Sequence, residues 1–186
     1  MIGYAFCGSF CTHAASLSTL SALISRGYEI QPIMSVCAYT TDTRFGSAAQ
    51  LRDRVESLCQ RNIIHTIEAA EPLGPKIPLD ALVIAPCTGN TLAKIASGIT
   101  DTPVTMAAKA HLRCDRPLLI ALATNDALSQ NLGNIARLLT RRSVYFVPMK
   151  QDDPVGKPHS LVADFASLPI ALEKALKGEG LRPLFV

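Results

Sequence analysis

The sequence has no tryptophan, few aromatic residues (5%) and few charged residues (18%). No apolar run reaches the roughly 18 residues that a membrane-spanning helix needs, so no membrane segment is expected. The formal charge of +3 is spread along the chain, without the basic block that is typical of nucleic-acid binding. The first residues enter an apolar pattern at once, unlike a signal peptide. These absences predict one rather apolar, cytoplasmic globular domain, residues 1–186.

The six cysteines contain no C-x-x-C pair, which favours reduced thiols over a disulfide framework. Cys7 and Cys11 lie close together in the sequence, but no pair of histidines stands nearby at the spacing of a zinc site. We therefore predict no metal site.

Apolar segments of strand character alternate with segments whose apolar residues have helical spacing. The predicted strands are residues 2–7, 28–36, 62–66, 81–85, 118–123 and 143–148. The predicted helices are residues 12–26, 46–60, 91–97, 103–114, 127–141 and 161–177, and the proline-rich residues 68–80 are predicted to form a loop. This alternation predicts an α/β fold: a doubly wound parallel sheet, flavodoxin- or Rossmann-like, with helices on both faces.

The first strand is followed by a turn suited to an anion. Gly8 allows close backbone approach, Ser9 and Thr12 supply hydroxyls, and the following helix offers free N–H groups. Ser35, at the end of the next strand, adds one donor. The three glycines and the acid of a dinucleotide fingerprint are missing, so the pattern favours a single phosphate monoester. Alternatively, Gly8 only makes a tight turn and Ser9 or Thr12 only caps the helix.

A second polar turn follows the buried strand at residues 81–85. Pro86, Thr88, Gly89, Asn90 and Thr91 combine exposed backbone with hydroxyl and amide groups, which can bind the edge of a heterocycle. The alternative is that residues Thr88 to Thr91 only cap the next helix.

The segment APCTGNTLAKIA, residues 85–96, resembles the signature of the FMN-binding flavoprotein family of small decarboxylases and prenyltransferases. The resemblance implies FMN as the cofactor, with its phosphate at Gly8, Ser9 and Ser35. It places the ring and ribityl chain along Ala85, Pro86, Thr88, Asn90 and Thr105. It also implies a homotrimer or larger assembly, with residues 106–113 near the contact between protomers.

Further motifs resemble the family of dipicolinate synthase B subunits from endospore-forming bacteria. They occur in order along the chain: TRFG, EPLGPKIPLD, APCTGNT, MAAKA, TNDAL and QDDPVGKP. This resemblance implies a part in oxidising dihydrodipicolinate to dipicolinate in the mother cell of a sporulating bacterium. The implied partner is the A subunit of the synthase, whose nicotinamide-binding domain would supply NADP.

Two other functions stay open. Flavin-dependent decarboxylases of the wider family carry a histidine shortly before the aspartate that precedes the third strand. They also carry a P-x-M-N motif after the strand that follows. Here the nearest histidine, His65, lies well upstream of Asp80, and only Asn125 of the motif is kept, which disfavours decarboxylation. In the other alternative, the chain is a non-catalytic partner of the A subunit.

A dicarboxylate substrate needs cations or N–H groups around it. Arg44 is the first candidate because its guanidinium can bind a carboxylate by two bonds; Lys76 and Lys109 are further candidates. Asn125 is the candidate amide for orienting substrate or flavin. The alternatives are solvated surface cations and, for Asn125, a helix cap.

Three acids stand in loops near the predicted ligand edge of the sheet. Asp126, Asp152 and Asp153 either act as a base or hold loops in place, and the second role is favoured for the two acids of QDDP. No general base is identified.

Overall fold

The structure, a computed structural model, describes residues 1–186. Its strands are β1 (Ile2–Phe6), β2 (Ile30–Met34), β3 (Ala81–Cys87), β4 (Leu118–Thr124), β5 (Val144–Phe146), β6 (Met149–Lys150) and β7 (Leu161–Ala163). Its helices are α1 (His13–Ser25), α2 (Val36–Thr40), α3 (Ala48–Cys59), α4 (Ile67–Ala70), α5 (Gly89–Ser97), α6 (Pro103–Leu112), α7 (Leu132–Leu139) and α8 (Leu168–Ala175). Short 3₁₀ turns, Phe10–Thr12 and Phe165–Ser167, precede α1 and α8.

The seven strands form one mixed sheet. Strands β2, β1, β3, β4 and β5 are parallel neighbours in that order, and β5 pairs only with the first part of β4. The last residues of β4 pair instead with β7, which runs antiparallel, and β6 is antiparallel to β7. The predicted doubly wound α/β fold is confirmed, while the prediction that all strands are parallel is wrong for β6 and β7.

The C-terminal region differs most from the sequence prediction. The helix predicted for residues 161–177 is wrong in its first part, because Leu161–Ala163 is strand β7 and helix α8 begins only at Leu168. Pro169 lies in the first turn of α8, where a missing N–H costs nothing. A short apolar run such as Leu161–Ala163 fits a strand and a helix equally well, so the periodicity could not separate them.

Two other predicted elements are corrected. Residues 62–66 form no strand, because only Ile64 makes a bridge, to Ile33 of β2. The helix predicted at residues 127–141 begins later, at Leu132. Residues 125–131 instead form a turn, in which the N–H groups of Ser129 and Asn131 donate to the carbonyl of Asp126.

Helices cover both faces of the sheet. One apolar cluster includes Ile84, Leu92 and Val104, which brings α5 and α6 against the sheet. The other includes Tyr4 and Leu20, on the side of α1 and α8. Every residue of β1 and of β3 is buried, as expected for central strands that lie between two helical layers.

The two edges of the sheet have different roles. The loops after β1, β3 and β4 gather at the carboxyl edge. At the opposite edge, the Asp80 N–H donates to the Met1 carbonyl at 2.9 Å, which fixes the end of the loop of residues 71–80 beside the start of β1. None of the helices combines the length and the apolar character required to cross a bilayer.

Candidate functional site

A cleft of about 590 Å³ lies at the carboxyl edge of the sheet. Its walls come from the turns after β1, β3 and β4, from the hairpin of residues 43–46, and from the loop between β6 and β7. Of the residues predicted for the site, the cleft is lined by Gly8, Ser9, Thr12, Arg44, Thr88, Gly89, Asn90 and Asn125. Its volume is in the range of pockets that hold a small-molecule ligand.

The turn after β1 presents backbone donors to the cleft. The Ser9 N–H donates to the Cys7 carbonyl at 3.0 Å, whereas the Gly8 N–H has no acceptor within the protein. The hydroxyl of Ser9 makes no hydrogen bond to the helix, but that of Thr12 donates to the Ser9 carbonyl at 2.8 Å. Just before α1, the turn therefore combines the free Gly8 N–H with the free Ser9 hydroxyl, donors that suit a phosphate.

Gly8 cannot carry a side chain without displacing a neighbour. A Cβ atom there would lie 3.0 Å from Cys37 Sγ and 3.7 Å from the Phe10 ring. Cys37 Sγ, the tip of an exposed side chain, would have to shift by a few tenths of an ångström to admit a Cβ at Gly8. The absence of a side chain at Gly8 leaves the backbone open toward the cleft.

The turn after β3 has one structural and one free polar side chain. Thr88 caps α5, because its Oγ1 accepts the Thr91 N–H at 3.2 Å. Thr91 in turn donates to Cys7 Sγ at 3.4 Å, which ties this turn to the end of β1. The amide of Asn90 is exposed and makes no hydrogen bond in the chain. Thr88 thus caps the helix and lines the cleft, and Asn90 remains available to a ligand.

The turn after β4 holds a hydrogen-bonded network beneath Gly89. The carboxylate of Asp126 accepts the Thr124 hydroxyl at 2.5 Å and the Asn131 amide at 2.9 Å. The Asn134 amide donates to the side-chain Oδ1 of Asn131 at 3.0 Å. Asp126 therefore holds this loop in place, which is one of the two roles that its position allows. Asn125 is exposed, makes no side-chain hydrogen bond with this network, and does not cap α7.

The rim of the cleft carries separate cationic groups. The guanidinium carbon of Arg44 lies 4.9 Å from the centre of the Phe45 ring, and Arg44 makes no ion pair. Lys157 pairs with Asp152 at 3.1 Å, and this contact raises the pKa of Lys157. The hydroxyl of Ser160 and the ammonium of Lys157 together lower the pKa of Asp152. Asp152 is therefore a carboxylate at neutral pH and a poor proton donor.

Asp153 has a structural role in the same loop. Its carboxylate accepts the Gly156 N–H at 2.8 Å, and it does not line the cleft. This agrees with the favoured role of the QDDP acids in holding loops in place, and Asp152, which also lines the cleft, is bonded to Lys157 of the same loop.

Several residues predicted for the site lie away from the cleft. Ser35 caps α2 by accepting the Ala38 N–H at 3.2 Å. Ala85 and Pro86 are fully buried in β3, and the Ala85 carbonyl accepts the hydroxyl of Ser16. Within one protomer, these residues support the cleft from below and do not line it.

Thr105 and the two lysines are further away. Thr105 is 1% exposed and forms a capping box with Thr102 at the start of α6. Lys76 is in the loop of residues 71–80 at the opposite edge of the sheet, and Lys109 is on α6, beside a small cavity outside the cleft. Neither lysine therefore lies at the cleft. The loop that carries Lys76 precedes β3, so it lies at the amino end of that strand, whereas the cleft lies at the carboxyl edge of the sheet.

Some lining residues were not predicted. Phe10, Cys11 and Phe45 add aromatic and thiol surface, and Lys157 and Ser160 come from the loop between β6 and β7. The first three are close in sequence to Gly8 and Arg44, so their position offered a signal. The last two reach the cleft through the antiparallel return of β7 against β4, which no local pattern indicated.

The lining fits a phosphate-bearing heterocycle. One end offers the free Gly8 N–H and the hydroxyl of Ser9, the other the free amides of Asn90 and Asn125, and Phe10 and Phe45 provide aromatic surface. No cluster of metal-ligating side chains is present. The arrangement matches the donor set expected for FMN.

Sequence comparison agrees with this geometry. A family model described as Flavoprotein matches residues 2–164. The chain belongs to the Flavoprotein family. The chain is 44% identical over 185 residues to the B subunit of dipicolinate synthase from Bacillus subtilis. The alignment covers 100% of this chain and 92% of that protein.

Two solved structures of related proteins extend the comparison. The B subunit of dipicolinate synthase from Bacillus halodurans has a TM-score of 0.91 and 40% identity, over 100% of this flavoprotein and 95% of that chain. A dodecameric FMN-dependent UbiX-like decarboxylase from Escherichia coli O157:H7 has a TM-score of 0.65 and 26% identity, over 80% of each chain.

Proposed function

We propose that this flavoprotein is the FMN-binding B subunit of a dipicolinate synthase and takes part in oxidising dihydrodipicolinate to dipicolinate during sporulation. The observation that carries the proposal is the full-length similarity to the B. subtilis protein, with 44% identity over 185 residues. The cleft supports it, because its donors fit a phosphate at one end and a heterocycle at the other.

FMN would lie along the cleft with its phosphate at the turn after β1. The Gly8 N–H and the Ser9 hydroxyl, neither of which has a partner within the protein, would hold the phosphate, helped by the positive end of the α1 dipole. Thr88 and Asn90 would lie along the ring, with the Asn90 amide as the hydrogen-bonding group. When bound, FMN would supply an acceptor for the hydride that leaves the substrate.

The substrate is a dicarboxylate at neutral pH, so its recognition depends on cations. Arg44 is the unpaired cation at the cleft rim, and its position against Phe45 orients the guanidinium. Asn125 also lines the cleft and offers a free amide. These two residues are our candidates for holding the ring beside the flavin.

A partner and an assembly belong to the proposal. The relatives are named as B subunits, which implies an A subunit that we propose carries NADP, and the reaction would take place in the mother cell. We also propose a homotrimer or larger assembly. Most of the predicted contact segment, residues 106–113, is buried within its own protomer, so Met106, Lys109 and Arg113 would provide its share of the contact.

A flavin-dependent decarboxylase is the second candidate, because the E. coli relative is one. The structure provides no histidine for this chemistry in the cleft. His65 stacks on Tyr39, with ring centres 4.0 Å apart, and does not line the cleft. We therefore favour the oxidoreductase role.

The absorbance spectrum of the purified protein tests FMN binding. We expect a yellow protein with the two flavin bands in visible and near-ultraviolet light, and release of FMN on denaturation. A colourless protein that takes up no added FMN, yet still binds the A subunit, would support the non-catalytic role instead.

A further inference from the structure

An exposed aromatic ring stands at the rim of the cleft, and its surface has no role in the proposal above. Phe45 is 55% exposed, and among the large apolar side chains that are exposed it is the only one that lines the cleft. Phe10, the other aromatic residue of the lining, packs on His13 with ring centres 5.3 Å apart, whereas Phe45 pairs with no other aromatic ring. Phe45 therefore offers open ring surface to a ligand in the cleft.

The turn that carries Phe45 is held in shape by its own hydrogen bonds. The backbone groups of Thr43 and Gly46 exchange bonds of 3.0 and 3.1 Å, and the Thr43 hydroxyl accepts the Phe45 N–H at 3.1 Å. Gly46 has a φ of 138°, a conformation that residues with a side chain rarely adopt. The backbone under the ring is thus already ordered, which lowers the entropy that a ligand must lose on binding.

A cation lies beside this ring on the same turn. The guanidinium carbon of Arg44 is 4.9 Å from the centre of the Phe45 ring, and both side chains line the cleft. Flat rings prefer an offset stack, so a ligand ring on Phe45 covers only part of its face and leaves room for the guanidinium. A carboxylate attached to that ring projects from its edge, where a guanidinium can bind it. The two residues together fit a flat ring that carries a carboxylate.

We propose that Phe45 is a specificity-determining residue, which stacks on the ring of the substrate and favours a flat, unsaturated ring over a puckered, saturated one. This assignment rests on the proposed function, since it takes the substrate class from it. A pyridine ring is electron-poor, which favours its stacking on the electron-rich face of a phenyl ring. We assign Phe45 to the substrate and not to the flavin, because the isoalloxazine ring bears no carboxylate for the adjacent Arg44.

The test is calorimetric titration of the FMN-loaded protein with two ring dicarboxylates of equal charge. Dipicolinate has a flat aromatic ring, and cis-hexahydroisophthalate has a puckered cyclohexane ring in its place. Phe45→Leu keeps an apolar side chain but loses the ring, so dipicolinate binding should weaken about three- to tenfold and hexahydroisophthalate binding less than about twofold. Phe45→Tyr keeps the ring and should bind dipicolinate as the wild type does.

Phe185→Leu is the matched control, because Phe185 is 54% exposed and does not line the cleft. It should change neither affinity.

The two ligands separate stacking from an indirect effect through Arg44. If Phe45 only oriented the guanidinium, Phe45→Leu would weaken both ligands alike, as Arg44→Ala should. Equal losses for both ligands, or an unchanged dipicolinate affinity, would overturn the assignment and leave the proposed function intact. A loss of FMN affinity in Phe45→Leu at unchanged dipicolinate affinity would overturn it too, and would assign the ring to the flavin. Wild-type protein that binds neither FMN nor dipicolinate would contradict the proposed function itself.

Discussion

The Asn131 amide lies 2.9 Å from each carboxylate oxygen of Asp126. Asn131 is 4% exposed, so this contact fixes a buried amide under the start of α5. A Cβ on Gly89 would lie 2.5 Å from the Asn131 nitrogen and 2.8 Å from an Asp126 oxygen. The hydrogen-bonded pair of Asp126 and Asn131 thus leaves no room for a side chain at Gly89.

Gly89→Ala should therefore destabilise the protein by about 1–3 kcal/mol, the usual range for overpacking. Gly133→Ala is the control, because a Cβ there meets nothing within 4 Å and alanine is the better helix former. It should leave stability unchanged or raise it by up to about 1 kcal/mol. Urea denaturation of both variants measures this, and equal stabilities would show that the network yields to a methyl group.

Gly8→Val should abolish FMN binding. The branched side chain would meet Cys37 Sγ and displace the turn whose free N–H we assign to the phosphate. The measurement is the flavin content of the purified variant, with circular dichroism as the check on folding. A folded Gly8→Val protein that keeps its flavin would remove this turn from the phosphate site.

Asn90→Ala should weaken FMN binding by about 1–3 kcal/mol if its free amide binds the ring edge. Asn62→Ala is the control, since Asn62 is exposed and lies outside the cleft. Fluorescence titration of the apoprotein with FMN gives both affinities. Identical affinities would make Asn90 a turn residue only.

Arg44→Ala should lower the rate of dipicolinate formation by an amount equal to about 2–4 kcal/mol of transition-state stabilisation. Arg44→Lys should recover only part of the rate, because lysine cannot form the bidentate pair. Absorbance follows the product in a mixture with the A subunit. A wild-type rate in Arg44→Ala would exclude the residue from the site.

Stability should fall as the pH is lowered below about 6.5, the ordinary pKa of histidine. Burial lowers the pKa of His111, which is fully buried and has an unpaired Nδ1. Below pH ~6.5 the unfolded chain therefore binds a proton at this histidine more readily than the native state does. The free energy of unfolding should then fall by up to about 1.4 kcal/mol per pH unit. His111→Leu should flatten this slope.

Urea denaturation between about pH 8 and pH 5 checks this expectation. His159→Leu is the control, since the His159 ring is exposed and makes no hydrogen bond. At the alkaline end of this range, His111→Leu should be less stable than wild type because it loses the bond from Nε2 to the Pro117 carbonyl. An unchanged pH slope in His111→Leu would show that another group governs it.

The central fold was predictable from the sequence because its strands are buried on both faces. The runs at Ile2–Phe6 and Ala81–Cys87 are continuous and apolar, and such runs separated by helical patterns imply parallel crossovers. The pair β6 and β7 was not predictable. Two and three residues carry no measurable period, and their pairing with β4 depends on contacts distant in sequence.

The site was predictable where it follows a parallel strand. Gly8, Thr88 and Asn125 line the cleft because carboxyl ends of parallel strands meet at one edge. Lys76 does not, because its loop precedes β3 and so lies at the other edge. Lys157 reaches the cleft only through β7, which could not be predicted.

The most direct test of the central claim is dipicolinate formation from dihydrodipicolinate by the purified A subunit, with and without this protein loaded with FMN. We expect the full rate to require both proteins and to fall when FMN is removed from this one. An equal rate in the absence of this protein would contradict it.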